Sequence, residues 1–407
     1  MAGSLAILVM VGGAALPAQA PNGANLQVYL MTMGPGAAIY ERFDHNAIWV
    51  RDSATHTDLI YNYGTFEFPI TTGGMLGFVA DFAMGRPRYW LGVDSSLSDV
   101  LQQYTYFHRD VDVQLLNLTP SQRADIATRL AVNALPANRT YVYDYFRDNC
   151  STRVRDLLDA VLGGALRRAT VGKPAEGTLR FHTLRSITND KLLFFGIDAA
   201  LGPSVDRPLD QWGEMFLPGK VQQRVRELRV AGADGNDAPL VVREERLLTI
   251  GIYHVESAPP RWTLVLLIAG LAIALVVGLA MVRGSPGIVG HIVGSAWLLL
   301  MGAGGLLLVF FWAISHNVAT FANHNLLVIS PLALLLIGPF WSAEEGHTAR
   351  WSGGVARVLI GTVVAAIILA LVPGIAGQET LPVVVLTAPA TLVAAWAVVR
   401  GAARVHK

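Results

Sequence analysis

Residues 263–400 form an almost unbroken stretch of apolar side chains, which leaves that part of the chain one solvent, a lipid bilayer. Five spans are expected, at about 262–282, 287–314, 325–341, 358–376 and 381–399, each near the roughly 20 residues a helix needs to cross. No Asp, Glu, Lys or Arg falls inside any of them as drawn, although Arg357 borders the fourth. Ion-coupled transporters and pumps usually need intramembrane ionisable groups, and the one candidate here is His291, so the bundle reads as an anchor, a lipid-facing platform or a wall of a lipid-access groove. Glycines such as Gly302, Gly304 and Gly305 permit close helix packing.

The connecting loops alternate in charge. Arg283 follows the first span, Arg350 and Arg357 lie between the third and fourth, and Arg400, Arg404 and Lys407 follow the fifth. Loops 315–324 and 377–380 carry no Lys or Arg. The positive-inside rule therefore puts the C-terminus in the cytoplasm and residues 21–258 outside the inner membrane. Residues 1–20, ending Leu16-Pro17-Ala18-Gln19-Ala20, have the apolar length and small-x-small ending of a signal peptide or N-terminal membrane segment, without a Lys or Arg ahead of the apolar run. Three parts are expected: 1–20 as leader, 21–258 as an extracytoplasmic catalytic domain and 259–407 as the transmembrane helical domain. His316, Asn323, His324 and Asn325 sit on or beside the outer loop, either as a hydrated polar loop or as a loop beside the active site.

Of 407 residues, 53% are hydrophobic and 15% charged, which is too apolar for a wholly soluble protein. A formal net charge of +1, with no basic cluster interleaved with aromatics, gives no reason to expect nucleic acid. The head alternates like an α+β domain. Strands are expected at 25–33, 45–50, 57–63 and 88–93, with a hairpin turn at 51–56. Helices are expected at 96–105, 119–135, 150–162 and 219–229, and a Gly/Asp/Asn loop at 232–237.

Cys150 is the single cysteine, so it has no partner for a structural disulfide in an exported domain. It opens a helix, with Asp148 or Asn149 as N-cap and an amphipathic run through Val154, Leu157, Leu158, Val161 and Leu162. A thiol in the first turn feels the positive end of the helix dipole, which favours the attacking thiolate. His45 and His56 in the hairpin, and His108, are candidate bases. Strand-borne His before helix-borne Cys is the order of a circularly permuted papain-like, NlpC-like fold. A turn centred near residues 53–54 would set Asn62 opposite His45 to orient the imidazole, and Asp58 on the same face is the alternative. Arg153 and Arg147, with Arg155, are candidates for phosphate head groups, and Tyr63 and Asn149 for further substrate contacts. No metal-ligand spacing, Gly-x-Ser-x-Gly elbow or phosphate loop is present, and no cofactor is expected.

Several blocks resemble the Lnb-type lipoprotein N-acyltransferases: Phe43-Asp44-His45-Asn46-Ala47, Tyr61-Asn62-Tyr63-Gly64-Thr65-Phe66-Glu67-Phe68, and Tyr145–Asp156 around Cys150. Gly196–Gly202, Met215-Phe216-Leu217-Pro218 and Asn323-His324-Asn325-Leu326-Leu327 complete the resemblance, which runs in order through most of the chain. Family members place Gly before the His, where this chain has Asp44. Matched position by position, the family's catalytic pair falls on His45 and Cys150. The resemblance implies acyl transfer from a membrane phospholipid, through a Cys thioester, to the N-terminal amine of diacylglyceryl-cysteine lipoproteins. It implies a multi-pass protein of a bacterial inner membrane, with its catalytic domain on the periplasmic side. From the residues alone two alternatives stand: a phospholipase or cell-wall amidase using the same dyad, and a non-enzymatic membrane assembly factor.

Overall fold

The computed structural model describes residues 23–67, 71–231, 236–279, 287–343, 349–372 and 377–404. The leader at 1–20, Arg283, Lys407 and most of the 232–237 loop lie outside them.

The head is built on a seven-stranded antiparallel sheet. Its strands are β1 (Leu26–Met33), β2 (His45–Asp52), β3 (Thr57–Thr65), β4 (Arg88–Asp94), β5 (Val111–Leu116), β6 (Thr140–Val142) and β7 (Val241–Leu248), in the order β7-β5-β1-β2-β3-β4-β6. Both faces are covered. Along β1, Leu26, Val28 and Leu30 enter one core, while Tyr29, Met31 and Met33 enter another, following the strand period of two. The first core is closed by α3 (Pro120–Asn133) and α4 (Cys150–Val161), through Ile126, Leu130, Val154 and Leu158. The opposite face is closed by α2 (Leu97–Tyr106), through Val100, Leu101 and Tyr104. Fully burying one such Leu or Ile contributes about 1.5–3 kcal/mol, which makes these contacts the main support of the sheet.

The strands and helices expected around 25–63, 88–105, 119–135, 150–162 and 219–229 are present within a few residues. The aromatic, Gly-rich stretch after β3 holds a further helix, α1 (Thr72–Ala83), which its three glycines hide from propensity reasoning. Strands β5, β6 and β7 also had no sequence expectation. β6 spans three residues, and β7 is an exposed edge strand of alternating charges rather than of apolar residues.

Between α4 and β7 the head also holds α5 (Leu179–Ser186) and α6 (Lys191–Ala200), and the apolar half follows β7. Among the described residues four segments there are long and apolar enough to cross a membrane: Ile288–Ala313, His324–Ser342, Arg350–Leu371 and Leu381–Ala403; Thr263–Leu279 is a shorter apolar helix. The third expected span is not one continuous helix. It runs as 3-10 turns His324–Leu327 and Pro331–Leu336 into a short α-helix at Ile337–Ser342, because Ser330-Pro331 interrupts the backbone ladder. The fourth begins at Arg350, eight residues before the expected 358, so Arg350 and Arg357 lie in its first turns. His291 is buried in the second, its Nδ1 2.8 Å from the Gly287 carbonyl and its ring against Phe340 and Trp341.

The head is fastened to the outer end of this bundle by a polar joint. Arg180, 1% exposed, pairs with Asp198 at 2.6 Å and Asp206 at 2.7 Å and donates to the Leu201 carbonyl, which shapes the Gly196–Gly202 segment. The side-chain amides of Asn323 and Asn325 donate to the Ala199 carbonyl, and Gln378 donates to Leu201 O and Asn323 Oδ1. The 323–325 residues are therefore neither a hydrated loop nor a wall of the site. They are the lock between the two halves.

Candidate active site

The Asp-Asn-Cys-Ser-Thr sequence makes its own helix start. Asn149 is the N-cap, its Oδ1 accepting from the Ser151 and Thr152 backbone N–H groups, while Thr152 Oγ1 accepts from the Asn149 N–H in return. Asn149 Nδ2 donates to the Tyr145 and Phe216 carbonyls. Ser151 Oγ lies 3.0 Å from Met215 O and 3.1 Å from Asn46 Oδ1, and Asn46 Nδ2 donates to Thr32 Oγ1. This buried chain of polar contacts pins the first turn of α4 to β2.

Cys150 is thereby held against the strand residue that follows His45. The backbone N–H groups of Asn46, Ser151 and Cys150 itself favour a thiolate here. They pull the thiol pKa down, as the helix start should, and the Arg109 guanidinium adds to the pull. Burial outweighs them and pushes the thiol up to about 11. The expected ready-made thiolate is absent. His45 is shifted the other way, to about 4, because burial and the Arg109 charge both disfavour the imidazolium, with the Asn62 hydrogen bond opposing. Both partners rest neutral at pH 7.

The hairpin register differs from expectation by one residue in its turn. Asp52 pairs Thr57, which leaves a four-residue loop, Ser53–His56, and sets Asn62 opposite Ala47; carried on, the same register sets His45 opposite Gly64. Asn62 is still on the imidazole's face, one diagonal step away, and its Oδ1 lies 3.3 Å from His45 Nε2. Asn62 Nδ2 donates to Asp94 Oδ2 at 2.7 Å. A carboxylate can only accept, so Asp94 fixes which end of the amide faces the ring. Oδ1 must then accept from Nε2–H, which leaves Nδ1 as the basic nitrogen. Sequence reading missed Asp94, whose partner across the sheet lies 32 residues away.

Asp58 does not serve the imidazole. It accepts from Trp49 Nε1 at 2.7 Å and faces Arg51 at 3.9 Å, about 13 Å along the strand from Asn62. His56 and His108 sit exposed in loops with φ of 54° and 53°.

Strand parity puts His45 and Asn62 on the α2 face of the sheet and Asn46 on the α4 face, the side from which Cys150 comes. The β2–β3 pairing ends at Ile48↔Tyr61, short of His45, and Gly64 lies beyond that last pair. It sits at the register shift between Tyr63 and Thr65 with φ +87°, and a Cβ there would lie 3.7 Å from the Cys150 Cβ and 3.4 Å from the Tyr143 ring. Asp44, before the histidine, has φ 62°, the left-handed region where glycine is at ease. Burial pushes its carboxyl up to about 6, against the opposing Arg109 and Arg185 charges.

The other substrate-binding candidates are mostly occupied elsewhere. Arg153 forms a two-point bond with Asp148, at 2.6 and 2.8 Å, and stacks 3.5 Å from the Tyr141 ring centre. Arg155 donates to Asp156 and lies over Trp212. Tyr63 is a core residue, its hydroxyl accepting from Asn133 Nδ2, and Asn149 is consumed as the cap. Arg147 alone is exposed beside the Cys loop. The cation the site does contain is Arg109, 5% exposed, with Nε donating to Gly34 O, NH1 3.9 Å from Glu41 and NH2 without a partner. The Tyr141 hydroxyl is also buried without a partner, 3.9 Å from the point where a Gly64 Cβ would lie. Among the described residues no group of three or more His, Cys, Asp or Glu is placed to hold a metal ion.

Neither a curated protein nor a solved structure matches this chain. Residues 17–190, from before β1 to the start of α6, match the family model described as the Lnb N-terminal periplasmic domain. That family suggests an enzyme with a lipoprotein N-acyltransferase-like role, in a membrane protein with an extracytoplasmic domain. The head thus resembles the Lnb N-terminal periplasmic domain, and apolar helices long enough to cross a membrane follow the matched residues.

Proposed function

We propose that this protein is a thiol-dependent lipoprotein N-acyltransferase with Cys150 as nucleophile and His45 as base. The observation that carries the proposal is the Asp94–Asn62–His45 relay, which leaves Nδ1 unprotonated at the strand end where the only thiol arrives. The sheet-borne His and helix-start Cys keep the order of a permuted papain-like site.

The reaction runs in two halves. His45 Nδ1 takes the thiol proton as Sγ attacks an ester carbonyl of a phospholipid in the outer leaflet. The tetrahedral oxyanion is met by backbone N–H groups at the α4 start, with the Tyr141 hydroxyl as side-chain donor. The carbonyl re-forms, the C–O bond to glycerol breaks, and the leaving oxygen takes the proton from His45, which releases a lysophospholipid. The α-amine of a diacylglyceryl-cysteine lipoprotein then attacks the thioester, passes its proton to His45, and the C–S bond breaks to leave the amide. The departing thiolate recovers that proton. Because both partners rest neutral, proton transfer accompanies attack rather than preceding it.

Position relative to the membrane supports a lipid donor. Phe146, four residues before Cys150, packs with Leu201, Val205 and Ala319 at the outer end of the bundle. An amidase acting on soluble wall fragments has no need of that arrangement. Mass spectrometry of lipoprotein N-terminal peptides, from cells with and without the protein, tests the proposal. An N-acyl group should be present only with it. Phospholipid hydrolysis with no N-acylation would instead establish a hydrolase.

A further inference from the structure

Helix α1 is the part of the head that water suits least. It reads Thr-Gly-Gly-Met-Leu-Gly-Phe-Val-Ala-Asp-Phe-Ala, with Asp81 as its one charge, and none of its residues is buried. Met75, Leu76, Val79 and Phe82 are 39%, 68%, 55% and 60% exposed. A helix apolar on nearly all sides belongs in a core or in lipid, and a patch of this kind on a soluble head marks a binding surface.

Its surroundings identify what covers it. The C-terminal end of α1 is tied to the end of the span Ile288–Ala313: Ser315 Oγ donates to Ala83 O at 2.8 Å and the His316 N–H to Met84 O at 3.0 Å. Gly85, with φ +70°, approaches so closely that a Cβ would lie 2.7 Å from the Asn317 nitrogen. Trp312 and Phe321, exposed and edge-on at 6.1 Å, mark that same level of the bundle as an aromatic interfacial belt. The helix is therefore fixed at the membrane surface, on the side of the bundle that carries the head.

From α1 a wall of rings leads inward. Phe78 stacks on Phe66 with centroids 6.0 Å apart, Phe66 meets Tyr89 at 4.9 Å, and Tyr89 stacks on Tyr143 at 4.4 Å. The Tyr143 ring and Cys150 both lie beside Gly64, within van der Waals reach of where a Cβ on it would stand. We infer that α1 is embedded in the outer leaflet and that this aromatic wall conducts the acyl chain of a membrane phospholipid to Cys150. The inference deepens the acyl-transfer proposal and rests on it for the identity of the chain that travels. An unbranched acyl chain needs only dispersion contacts and exclusion of water, and stacked rings supply both.

The test uses the full-length protein in nanodiscs of phosphatidylethanolamine and phosphatidylglycerol. In a Cys150→Ala background, Leu76→Cys and, as a control on α2, Gln102→Cys are each labelled with an environment-sensitive fluorophore. Phospholipid with a nitroxide at acyl carbon 5 should quench about half or more of the emission at position 76 and little at position 102. Equal, weak quenching at both sites overturns the membrane placement. Separately, Leu76→Glu with Val79→Glu should slow consumption of nanodisc phospholipid by about tenfold or more, while soluble iodoacetamide alkylates Cys150 at the unaltered protein's rate. Undiminished consumption by the double variant overturns the path to Cys150. If the unaltered protein consumes no phospholipid, the acyl-transfer proposal fails, and quenching alone decides where α1 lies.

Discussion

His45 and Asn62 meet along a diagonal of the β2–β3 hairpin, Nε2 to Oδ1 at 3.3 Å, not across a paired rung. A diagonal contact is adjustable, because the amide can rotate about its own torsions. The structure removes that freedom with one further bond, from Asn62 Nδ2 to Asp94 Oδ2.

Asp94 should therefore behave as a positioning residue. Asn62→Ala should lower kcat by roughly 10- to 100-fold, within the span left by a misoriented base. Asp94→Ala should lower it by about tenfold with KM little changed, since the amide is then free to present either end. Steady-state kinetics across pH check this. An Asp94→Ala loss confined to KM would assign Asp94 to substrate binding instead.

Gly64 packs beside Cys150 at the end of the β2–β3 hairpin that carries His45. Gly64→Ala adds a methyl 3.7 Å from the Cys150 Cβ, at a φ that L residues rarely adopt. Turnover should fall by about tenfold or more, and the protein should be less stable by about 1 kcal/mol. Activity assays and thermal melts on the same preparation separate the two effects.

A neutral resting dyad has a distinct signature. With the thiol near 11 and the imidazole near 4, the thiolate fraction is small throughout the neutral range. Iodoacetamide alkylation of Cys150 should therefore climb about tenfold per pH unit between pH 7 and 9. A rate already level from pH 5 upward would reveal a preformed thiolate–imidazolium pair.

Asp44 carries both strain and a burial cost. Its folded pKa near 6 exceeds the ordinary 3.8, so between those values the folded state holds more protons than the unfolded state. Its contribution to stability is present at low pH and is lost as pH rises through 6. Asp44→Gly removes that loss and relieves the φ of 62°. The variant's advantage in stability should thus be smaller at pH 4 and should widen by about 3 kcal/mol by pH 7. An advantage that shrinks with rising pH would contradict the assignment.

Which parts of this site were legible follows from how far each signal reaches along the chain. The Cys150 helix start is a local pattern, cap and amphipathic run within a dozen residues, and its first and last residues were readable. The His45 hairpin was readable because period-two alternation survives in Asn46–Val50 and Leu59–Tyr63, but a four-residue loop moved the register by one turn position. Asp94 and Arg109 were not readable. Each acts through a partner far along the chain, Asn62 for one and Gly34 for the other, and no short-range pattern marks either. Sequence places Arg153, Arg155, Tyr63 and Asn149 beside the cysteine, and their partners Asp148, Trp212, Asn133 and the helix cap could be seen only in the fold. The lock formed by Asn323, Asn325 and Gln378 looked like an ordinary polar loop until the Ala199 and Leu201 carbonyls were in place opposite.

The most direct measurement is mass analysis of the protein during turnover. Full-length protein in nanodiscs containing phospholipid with an isotopically labelled acyl chain, quenched in acid without an acceptor peptide, should carry one labelled acyl group. It should map to the peptide containing Cys150 and be released by neutral hydroxylamine. An acyl group at another residue, or one that persists in Cys150→Ala, would contradict the assignment of Cys150 as the nucleophile.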